Sequence, residues 1–329
     1  MRAIAYSRFG PAAEVLSLQD LPTPDPAPGE VLVRLAFSGV NPSDVKARAG
    51  GRPGVTEPPF PLIIPHSDGA GVIEAVGEGV DPSRVGERVW IRNGQWQRAF
   101  GTAAEYVALP GGQAHHLPDN TSLEDGAVLG IPVLTATHAV LGGGPVEGKR
   151  VLVSGGAGTV GNLAVQVAKA SGAQVLSTAR GEAGLAAARA AGADHVFDYS
   201  APDLADQILQ ATGGALIDRI VEVEFGMNAA TNTAVIAERG TIAAYGSAKD
   251  MVPALPYYPL MFKAVRIDLV LVYILSEGQL ARAVEALTGL LERGALDIRI
   301  AEVMELADCA AAHDLVASGN RAGAVLLKV

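Results

Sequence analysis

The glycines at positions 156, 158 and 161 have the spacing that most clearly predicts chemistry in this 329-residue chain. They follow an apolar run, Val151–Val153, and precede an apolar helical pattern, Asn162–Ala170, so that Gly-x-Gly-x-x-Gly falls between a strand and a helix. We expect Gly156 to make the tight turn, Gly158 to let the backbone approach a pyrophosphate, and Gly161 to let the helix pack closely. The helix start would offer amide groups and its positive dipole end to phosphates. The motif predicts dinucleotide binding, with a purely structural turn as the alternative.

The residue type at the end of the strand that follows the glycine motif indicates whether NADPH or NADH is bound. Folds that prefer NAD usually place Asp or Glu there, ~20 residues after the glycines, on the ribose hydroxyls. The corresponding stretch, Ser177–Arg180, contains no acid. A guanidinium can hold a 2′-phosphate through charge-assisted hydrogen bonds, so Arg180 favours NADPH. A solvated surface arginine is the alternative interpretation.

Composition excludes several classes of protein. Hydrophobic residues make up 49%, and no segment approaches the ~18 continuous apolar residues of a membrane span. A net charge of −10 argues against a nucleic-acid surface, and no basic run occurs. Met1–Tyr6 is typical of a strand and lacks the apolar core of a signal peptide. The single cysteine, Cys309, excludes an internal disulfide and fits a reducing compartment, so we expect a cytoplasmic protein.

The chain has two regions with different sequence patterns. The first ~125 residues are rich in Pro and Gly, with short alternating runs typical of a compact β domain. Leu123–Leu141 has the pattern of an apolar helix. Strand and helix patterns alternate from Val151 onward, which predicts a doubly wound α/β fold with a parallel sheet. The tail, Ile298–Val329, has a strand–helix–strand pattern that can rejoin the β domain. We therefore expect a β domain over 1–125 and 278–329, and a dinucleotide-binding domain over 126–277.

Several segments together resemble the quinone oxidoreductase (zeta-crystallin-like) branch of the medium-chain dehydrogenase/reductase superfamily. Beside the glycine turn, they are Ser38–Asp44, Ser67–Gly77, Gly86–Val89 and Gly130–Ala136. The resemblance runs nearly end to end. It implies a GroES-like β domain that carries the substrate face, a Rossmann domain, and a nicotinamide between the two. It also implies a homodimer or homotetramer that reduces quinones or activated alkenes with NADPH.

The ligands of a catalytic zinc are missing from the expected positions. Zinc-dependent relatives bind the metal through Cys and a Gly-His-Glu histidine, but here Asn41–Asp44 takes the first position and Ser67 the second. His66 lies one place early, and as a lone histidine without a thiolate partner it predicts no metal site. Without a Lewis acid, the acceptor must be electron-poor enough to take hydride unaided, as quinones and enones are.

The resemblance also implies roles for individual residues. Asn41 would lie near the nicotinamide and hydrogen-bond an acceptor oxygen, although a turn-forming Asn-Pro pair is the alternative, and Asp44 would cap the helix that begins there. Lys46 stands where the family often has Tyr, and would favour acidic acceptors or point to solvent. Thr135 would lie close to the nicotinamide. We therefore expect Asn41, Lys46 and Thr135 at the catalytic centre.

The remaining cofactor contacts follow the strand ends. By the same resemblance, Tyr199 would lie near the adenosine phosphate, and Arg321 would approach the phosphate side or remain a surface arginine. The family often has a basic residue at the position of Gly184, so Arg180 would carry that role. The full set expected to bind the cofactor is Asn41, Thr135, Gly156, Ala157, Gly158, Thr159, Val160, Thr178, Arg180, Tyr199, Tyr245, Gly246, Ser247 and Arg321.

Three functional alternatives stay open. The first is an NADPH-dependent, zinc-independent quinone reductase, and the second is an enone or 2-alkenal reductase. The third is an NADPH-binding sensor without turnover, for which Lys46 and His66 leave room. An alcohol dehydrogenase is the least favoured.

Overall fold

The computed structural model describes residues 1–51 and 54–329, which form two compact units. Met1–Ile131 and Ile298–Val329 make the first unit, and Pro132–Asp297 makes the second. The second unit therefore extends 20 residues beyond the expected end at residue 277. Within the described residues, no helix is long and apolar enough to cross a membrane.

The strands of the described chain are numbered in sequence order. They are β1 (Arg2–Ala5), β2 (Ser17–Asp20), β3 (Glu30–Val40), β4 (Asp68–Val76), β5 (Arg88–Ile91), β6 (Tyr106–Pro110), β7 (Ala114–His116), β8 (Arg150–Val153), β9 (Gln174–Ala179), β10 (His195–Asp198), β11 (Ile217–Glu222), β12 (Ile236–Ala244), β13 (Arg266–Leu269), β14 (Ile300–Glu305) and β15 (Ala324–Lys328).

The α-helices follow the same numbering. They are α1 (Ala12–Val15), α2 (Pro42–Arg48), α3 (Leu123–Gly126), α4 (Leu134–Leu141), α5 (Thr159–Ala170), α6 (Gly181–Ala190), α7 (Leu204–Ala211), α8 (Phe225–Val235), α9 (Tyr257–Phe262), α10 (Glu277–Glu292) and α11 (Cys309–Ser318). A π-helical turn, Leu129–Val133, precedes α4.

The first unit is built on a seven-stranded sheet. Its strand order is β14-β15-β3-β4-β5-β7, and β6 also pairs with β3. Val31 and Val33 of β3 and Ile73 of β4 are buried in one apolar cluster. Successive side chains of a strand point to opposite faces of the sheet, so alternate residues share the buried face. The C-terminal strand β15 lies antiparallel to β3, so the tail does rejoin the β domain as expected. Helix α11 packs against this sheet and against α2.

The second unit contains a six-stranded parallel sheet. The order β10-β9-β8-β11-β12-β13 is that of a doubly wound dinucleotide-binding fold, which confirms the predicted fold class. The order reverses between β8 and β11. Helix α10 belongs to this unit because it packs on α4 and buries Ala283, Leu287 and Leu290. This buried apolar stripe explains why the unit extends to Asp297.

The stretch Leu123–Leu141 is not one helix, and that expectation is wrong. It comprises α3, the π-helical turn and α4, and the two compact units separate inside it, between Ile131 and Pro132. Pro132 has no N–H to donate and its ring crowds the preceding turn, so a continuous α-helix through it is disfavoured. The change of helical geometry lies where one unit ends and the next begins.

Candidate cofactor and active site

The glycine turn after β8 is held in place by close backbone approaches. Gly155 has the left-handed φ of 73°, so this residue makes the turn and not Gly156 as expected. A Cβ on Gly156 would lie 2.1 Å from Oγ of Ser177, which leaves no room for a side chain. A Cβ on Gly161 would lie 2.2 Å from the carbonyl oxygen of Gly155. The start of α5 therefore presses directly on the turn, which only glycine permits.

Gly158 differs from its neighbours because the space around it is open. A Cβ placed there meets nothing nearer than the carbonyl oxygen of Gly155 at 3.5 Å. Gly158 is exposed and precedes α5, whose first helical bond runs from Asn162 N to Gly158 O at 2.8 Å. The protein itself does not use this space. Thr159 and Val160 form the first turn of α5, where backbone amides point out of the helix and can bind an anion.

Thr178 fastens the glycine turn to the neighbouring strand. Its Oγ1 accepts a hydrogen bond from Gly155 N at 3.2 Å, and its carbonyl oxygen accepts one from Gly156 N at 2.9 Å. The side chain of Thr178 is buried. Thr178, near the end of β9, thus holds the glycine turn in place. It also lies at the edge of the sheet where the cofactor is predicted to bind.

Arg180 follows β9 and is exposed at the start of α6. It has an acidic neighbour that the sequence interpretation did not include. Asp198, at the end of β10, accepts hydrogen bonds from Ser200 Oγ (2.5 Å), Ser200 N (2.8 Å) and Gly181 N (3.4 Å). These bonds and the nearby Arg180 charge lower the pKa of Asp198, so it stays ionised at neutral pH. Tyr199, the next residue, is 44% exposed.

The loop after β12 carries three of the predicted cofactor residues. Tyr245 N donates to Glu222 O at 2.9 Å, and burial together with Glu222 raises the pKa of the Tyr245 phenol. Gly246 is packed tightly, since a Cβ there would lie 2.5 Å from the carbonyl oxygen of Val223. Ser247 Oγ accepts from Gly226 N at 2.9 Å and donates to the carbonyl oxygen of Asp250. The loop is therefore tied to β11 and α8.

Glu222 is a buried carboxylate at the end of β11 that sequence reasoning missed. Its Oε2 accepts hydrogen bonds from Ser154 Oγ and Asn232 Nδ2, both at 2.8 Å. Its Oε1 accepts from Glu224 N at 2.6 Å and from Asn228 Nδ2 at 2.9 Å. Four donors compensate for the loss of water around a fully buried side chain. Glu222 links the ends of β8 and β11, where the strand order reverses.

Asn41 in the first unit is held by two carboxyl groups. Its backbone N–H donates to Asp44 Oδ2, and its Nδ2 donates to Asp68 Oδ2, both at 2.8 Å. Asp68 Oδ2 also accepts from Ile131 N at 3.1 Å, whereas its buried Oδ1 has no hydrogen-bond partner among the described residues. Burial, reinforced by Asp44, raises the pKa of Asp68 well above its usual value. Asp68 is thus a buried acid beside Asn41 with a raised pKa, signalled in sequence only by its place after Ser67.

The other predicted site residues are placed differently. Lys46 is exposed on α2. Thr135 is buried in α4 of the second unit. Arg321, in the first unit, donates from Nη1 to the carbonyl oxygen of Val316 at 3.0 Å, near the end of α11. Its guanidinium therefore has a partner within its own unit.

His66 is not a lone histidine, so that expectation is wrong. Its Nε2 lies 2.9 Å from Nε2 of His313 and 3.9 Å from Sγ of Cys309, and all three side chains are 0% exposed. His66 also has a left-handed φ of 77°, which costs a non-glycine residue about 1–3 kcal/mol. Cys309 and His313 are separated from His66 by more than 240 residues, so local sequence reasoning could not bring them together.

The parallel sheet brings one group of predicted residues to a common edge. The glycine turn and the residues that follow β9, β10 and β12 all lie just past the carboxyl ends of their strands. Open α/β sheets bind ligands outside these ends, where the strand order reverses. The tight packing at Gly156 and Gly161, together with the open space at Gly158, fits the pyrophosphate of a dinucleotide. Asn41, Lys46 and Arg321 belong to the other unit.

Family comparisons agree with this architecture. Residues 27–119 match the family described as alcohol dehydrogenase GroES-like domain, and residues 159–288 match the one described as zinc-binding dehydrogenase. These two domains together define a medium-chain dehydrogenase/reductase. A pig (Sus scrofa) quinone oxidoreductase is 32% identical over 332 residues, covering 99% of this chain and 97% of the relative. The chain belongs to the quinone oxidoreductase family of that superfamily, and it is an oxidoreductase.

Solved structures show the same fold over the whole chain. A protein described as an NAD-dependent alcohol dehydrogenase superposes with a TM-score of 0.87 at 30% identity, and both chains are covered completely. The Escherichia coli quinone oxidoreductase complexed with NADPH superposes with a TM-score of 0.85 at 25% identity, again over both complete chains. The fold class and the resemblance predicted from sequence are confirmed.

Proposed function

We propose that this chain is an NADPH-dependent oxidoreductase that transfers hydride to quinones without a catalytic zinc ion. The observation that carries the proposal is the unfilled space at Gly158, between a tightly packed glycine turn and the start of α5. The pig relative is a quinone oxidoreductase, and the Escherichia coli relative is complexed with NADPH. Both observations support the same reaction.

The residues of the second unit fit NADPH as its cofactor. The backbone of Gly156–Val160 would hold the pyrophosphate, and Thr178 keeps that turn in position. Arg180 would pair with the 2′-phosphate, while Tyr199, Tyr245, Gly246 and Ser247 border the same edge of the sheet. When bound, NADPH supplies the hydride and its reducing electron pair. Thr135 and Arg321 remain proposed contacts.

The first unit supports chemistry without a catalytic metal. The segment Asn41–Asp44 and Ser67 stand at the positions where zinc-dependent relatives have ligands, and Asn41 is hydrogen-bonded to Asp68. Asn41, oriented by Asp68, would hydrogen-bond an acceptor oxygen. No Lewis acid then stabilises an alkoxide, so the acceptor must be intrinsically electrophilic. A quinone meets this requirement, and its reduced form can take protons from water.

Turnover of a defined panel tests the reaction. Purified protein with excess NADPH should reduce naphthoquinones and phenanthrenequinone faster than short enals, and chelator treatment should not change the rate. Faster turnover of enals would instead identify an enone reductase. Tight NADPH binding without turnover of any acceptor would contradict the enzymatic proposal and favour a sensor. Activity toward simple alcohols that depends on added zinc would contradict the metal-free mechanism.

Arg180→Asp tests the cofactor assignment. Charge-assisted bonds to a 2′-phosphate contribute about 1.5–3 kcal/mol, so the preference for NADPH over NADH should fall about tenfold to a hundredfold. Arg189→Asp is the matched control, because Arg189 is also exposed on α6 but lies at its other end. Dissociation constants measured by fluorescence titration give both ratios. An unchanged ratio in Arg180→Asp would refute the role of Arg180.

We also propose that the chain forms a homodimer through the outer edge of β13. This strand ends the parallel sheet and pairs with β12 on one side, so its other edge presents backbone groups to a partner. Large apolar side chains around it are exposed, including Phe262 at 78% and Leu269 at 74%. Such a cluster is typical of a protein interface. Its other members are Met251, Val252, Tyr257, Tyr258 and Ile274.

A further inference from the structure

The cluster of His66, Cys309 and His313 lies inside the first unit and has no role in the proposed reaction. Cys309 and His313 are four residues apart on α11 and therefore face the same side of the helix. His66 precedes Ser67 in the segment leading to β4. One potential ligand atom from each residue lies within 4.8 Å of the other two. The two imidazole rings stack with their centroids 5.1 Å apart.

A chain of hydrogen bonds determines which nitrogen of His66 carries the proton. Thr102 Oγ1 donates to the carbonyl oxygen of Asp68, which uses its only proton. Ser38 Oγ must then donate to Thr102 Oγ1 and accept from Nδ1–H of His66, both at 2.9 Å. In the neutral ring, Nε2 of His66 is consequently unprotonated. Its lone pair is directed at the cluster.

The protonated nitrogen of His313 follows from that of His66. Because Nε2 of His66 is an acceptor, the 2.9 Å contact requires Nε2–H of His313 to donate. The Nδ1 atom of neutral His313 is then an unprotonated acceptor, and this buried atom has no partner among the described residues. Because Nδ1 is unprotonated, it can take the proton of His313 when Nε2 of that ring binds a metal ion. The strained φ of His66 is a second departure from ordinary structure at the same place.

We propose that Cys309 Sγ, His66 Nε2 and His313 Nε2 supply three ligands of a buried zinc site, whose fourth ligand is a water molecule. One sulfur and two imidazole nitrogens are the donor set that Zn²⁺ prefers, whereas Ca²⁺ and Mg²⁺ require oxygen ligands. Tetrahedral zinc, with Zn–S of about 2.3 Å and Zn–N of about 2.0 Å, places N and S about 3.5 Å apart and two nitrogens about 3.3 Å apart. The Sγ–Nε2 separation of Cys309 and His66 is 3.9 Å and the Nε2–Nε2 separation of the two histidines is 2.9 Å, each within about 0.4 Å of the tetrahedral value. The candidate atoms of Cys309 and His313 lie within 4.8 Å of each other.

Proton balance is simple for this site. The thiol of Cys309 loses its proton to solvent on binding, and the proton on Nε2 of His313 moves to the free Nδ1 of the same ring. One proton is released for each zinc ion. The charged groups nearest the cluster are Asp44 and Arg48 of α2, which packs against α11. Their charges oppose each other, so the ion adds one net positive charge that Asp44 partly balances.

Cobalt titration of the full chain tests the site independently of turnover. The protein is first freed of metal with a chelator and then titrated with Co²⁺. Because Cys309 is the only cysteine, a thiolate-to-cobalt charge-transfer band reports on it alone. We expect one equivalent of Co²⁺ to produce this band, and one equivalent of Zn²⁺ to abolish it. Absence of the band at saturating Co²⁺ would overturn the proposal.

Variants locate the ligands. Cys309→Ser should weaken Zn²⁺ binding by more than about a hundredfold, because even changes behind the ligands cost tenfold to a hundredfold. Ser38→Ala, which frees Nδ1 of His66, should weaken binding about tenfold to a hundredfold. His195→Gln, in the other unit, is the matched control and should bind as the wild type does. Equal affinity of wild type and Cys309→Ser would refute the site.

X-ray absorption of the zinc-loaded wild type removes dependence on the folding of variants. The expected spectrum has one sulfur neighbour at about 2.3 Å and nitrogen neighbours at about 2.0 Å. A shell of nitrogen and oxygen alone would overturn the proposal. Quinone reduction by the metal-free protein is expected to persist, since the three ligands are fully buried and cannot touch a substrate. The zinc site and the proposed reaction can therefore fail separately.

Discussion

Gly158→Ala should separate cofactor binding from folding. A Cβ at this position meets only the carbonyl oxygen of Gly155, at 3.5 Å, and the φ of −77° suits alanine. The cost to folding is limited to the poorer capping of α5 by alanine, about 0.5–1 kcal/mol. The methyl group would instead occupy the space assigned to the pyrophosphate. We expect NADPH affinity to fall more than about tenfold, which corresponds to about 1.4 kcal/mol.

Gly161→Ala should instead lower the stability of the fold more than a substitution at Gly158 does. Its Cβ would lie 2.2 Å from the carbonyl oxygen of Gly155 and 3.2 Å from Cα of Gly156, so backbone must move. Overpacking of this kind costs about 1–3 kcal/mol in the free energy of unfolding. Gly278→Ala, on α10 in the same unit, controls for a generic change of glycine in a helix, because its Cβ has ordinary space.

Urea unfolding and fluorescence titration with NADPH measure the two effects on the same samples. The expected pattern is a stable Gly158→Ala protein with weak binding, and a destabilised Gly161→Ala protein. Wild-type NADPH affinity in Gly158→Ala would refute the assignment of that space to the pyrophosphate. A large loss of stability in Gly158→Ala would show that the space is needed by the protein itself.

Three further predictions concern charge, burial and assembly. Burial and two arginines lower the pKa of His115 to about 4, so the unfolded chain binds more protons below pH 6.5. Stability should therefore decline by at most about 3 kcal/mol as the pH falls from 6.5 to 4. His115→Gln should remove this slope in urea unfolding, whereas His116→Gln should keep it. Asn232→Leu removes a donor from buried Glu222 and should lower the free energy of unfolding by about 1.5–3 kcal/mol; a neutral result in urea unfolding would contradict the network. Phe262→Glu should convert a dimer to a monomer in light scattering, whereas Val85→Glu, an exposed residue of the other unit, should not. A monomeric wild type would refute the interface.

Local patterns predicted most of the second unit. The alternation of strands and helices expected from Val151 onward is what the structure has from β8 to β12. Buried parallel strands are apolar runs bounded by glycine turns, so their signal is contained within a few residues. The glycine turn and Arg180 followed from this pattern, whereas Tyr199, Tyr245, Gly246 and Ser247 were expected from the family resemblance.

The failures share a different cause, which is dependence on distant contacts. Apolar periodicity continues through Pro132, so it cannot show that two units meet there. The turn was assigned to Gly156, but the close approach of Ser177 constrains Gly156 and leaves the left-handed φ to Gly155. His66 meets Cys309 only because β15 and α11 return to the first unit. Tertiary structure decides each case.

The return of β15 to β3 has a consequence for synthesis on the ribosome. All of the second unit, through Asp297, is translated before the segment that completes the first. While the second unit is being made, β3 lacks its neighbour β15, and an open strand edge of this kind can pair with another chain. The sheet of the first unit is therefore completed only after the whole of the second unit has been translated.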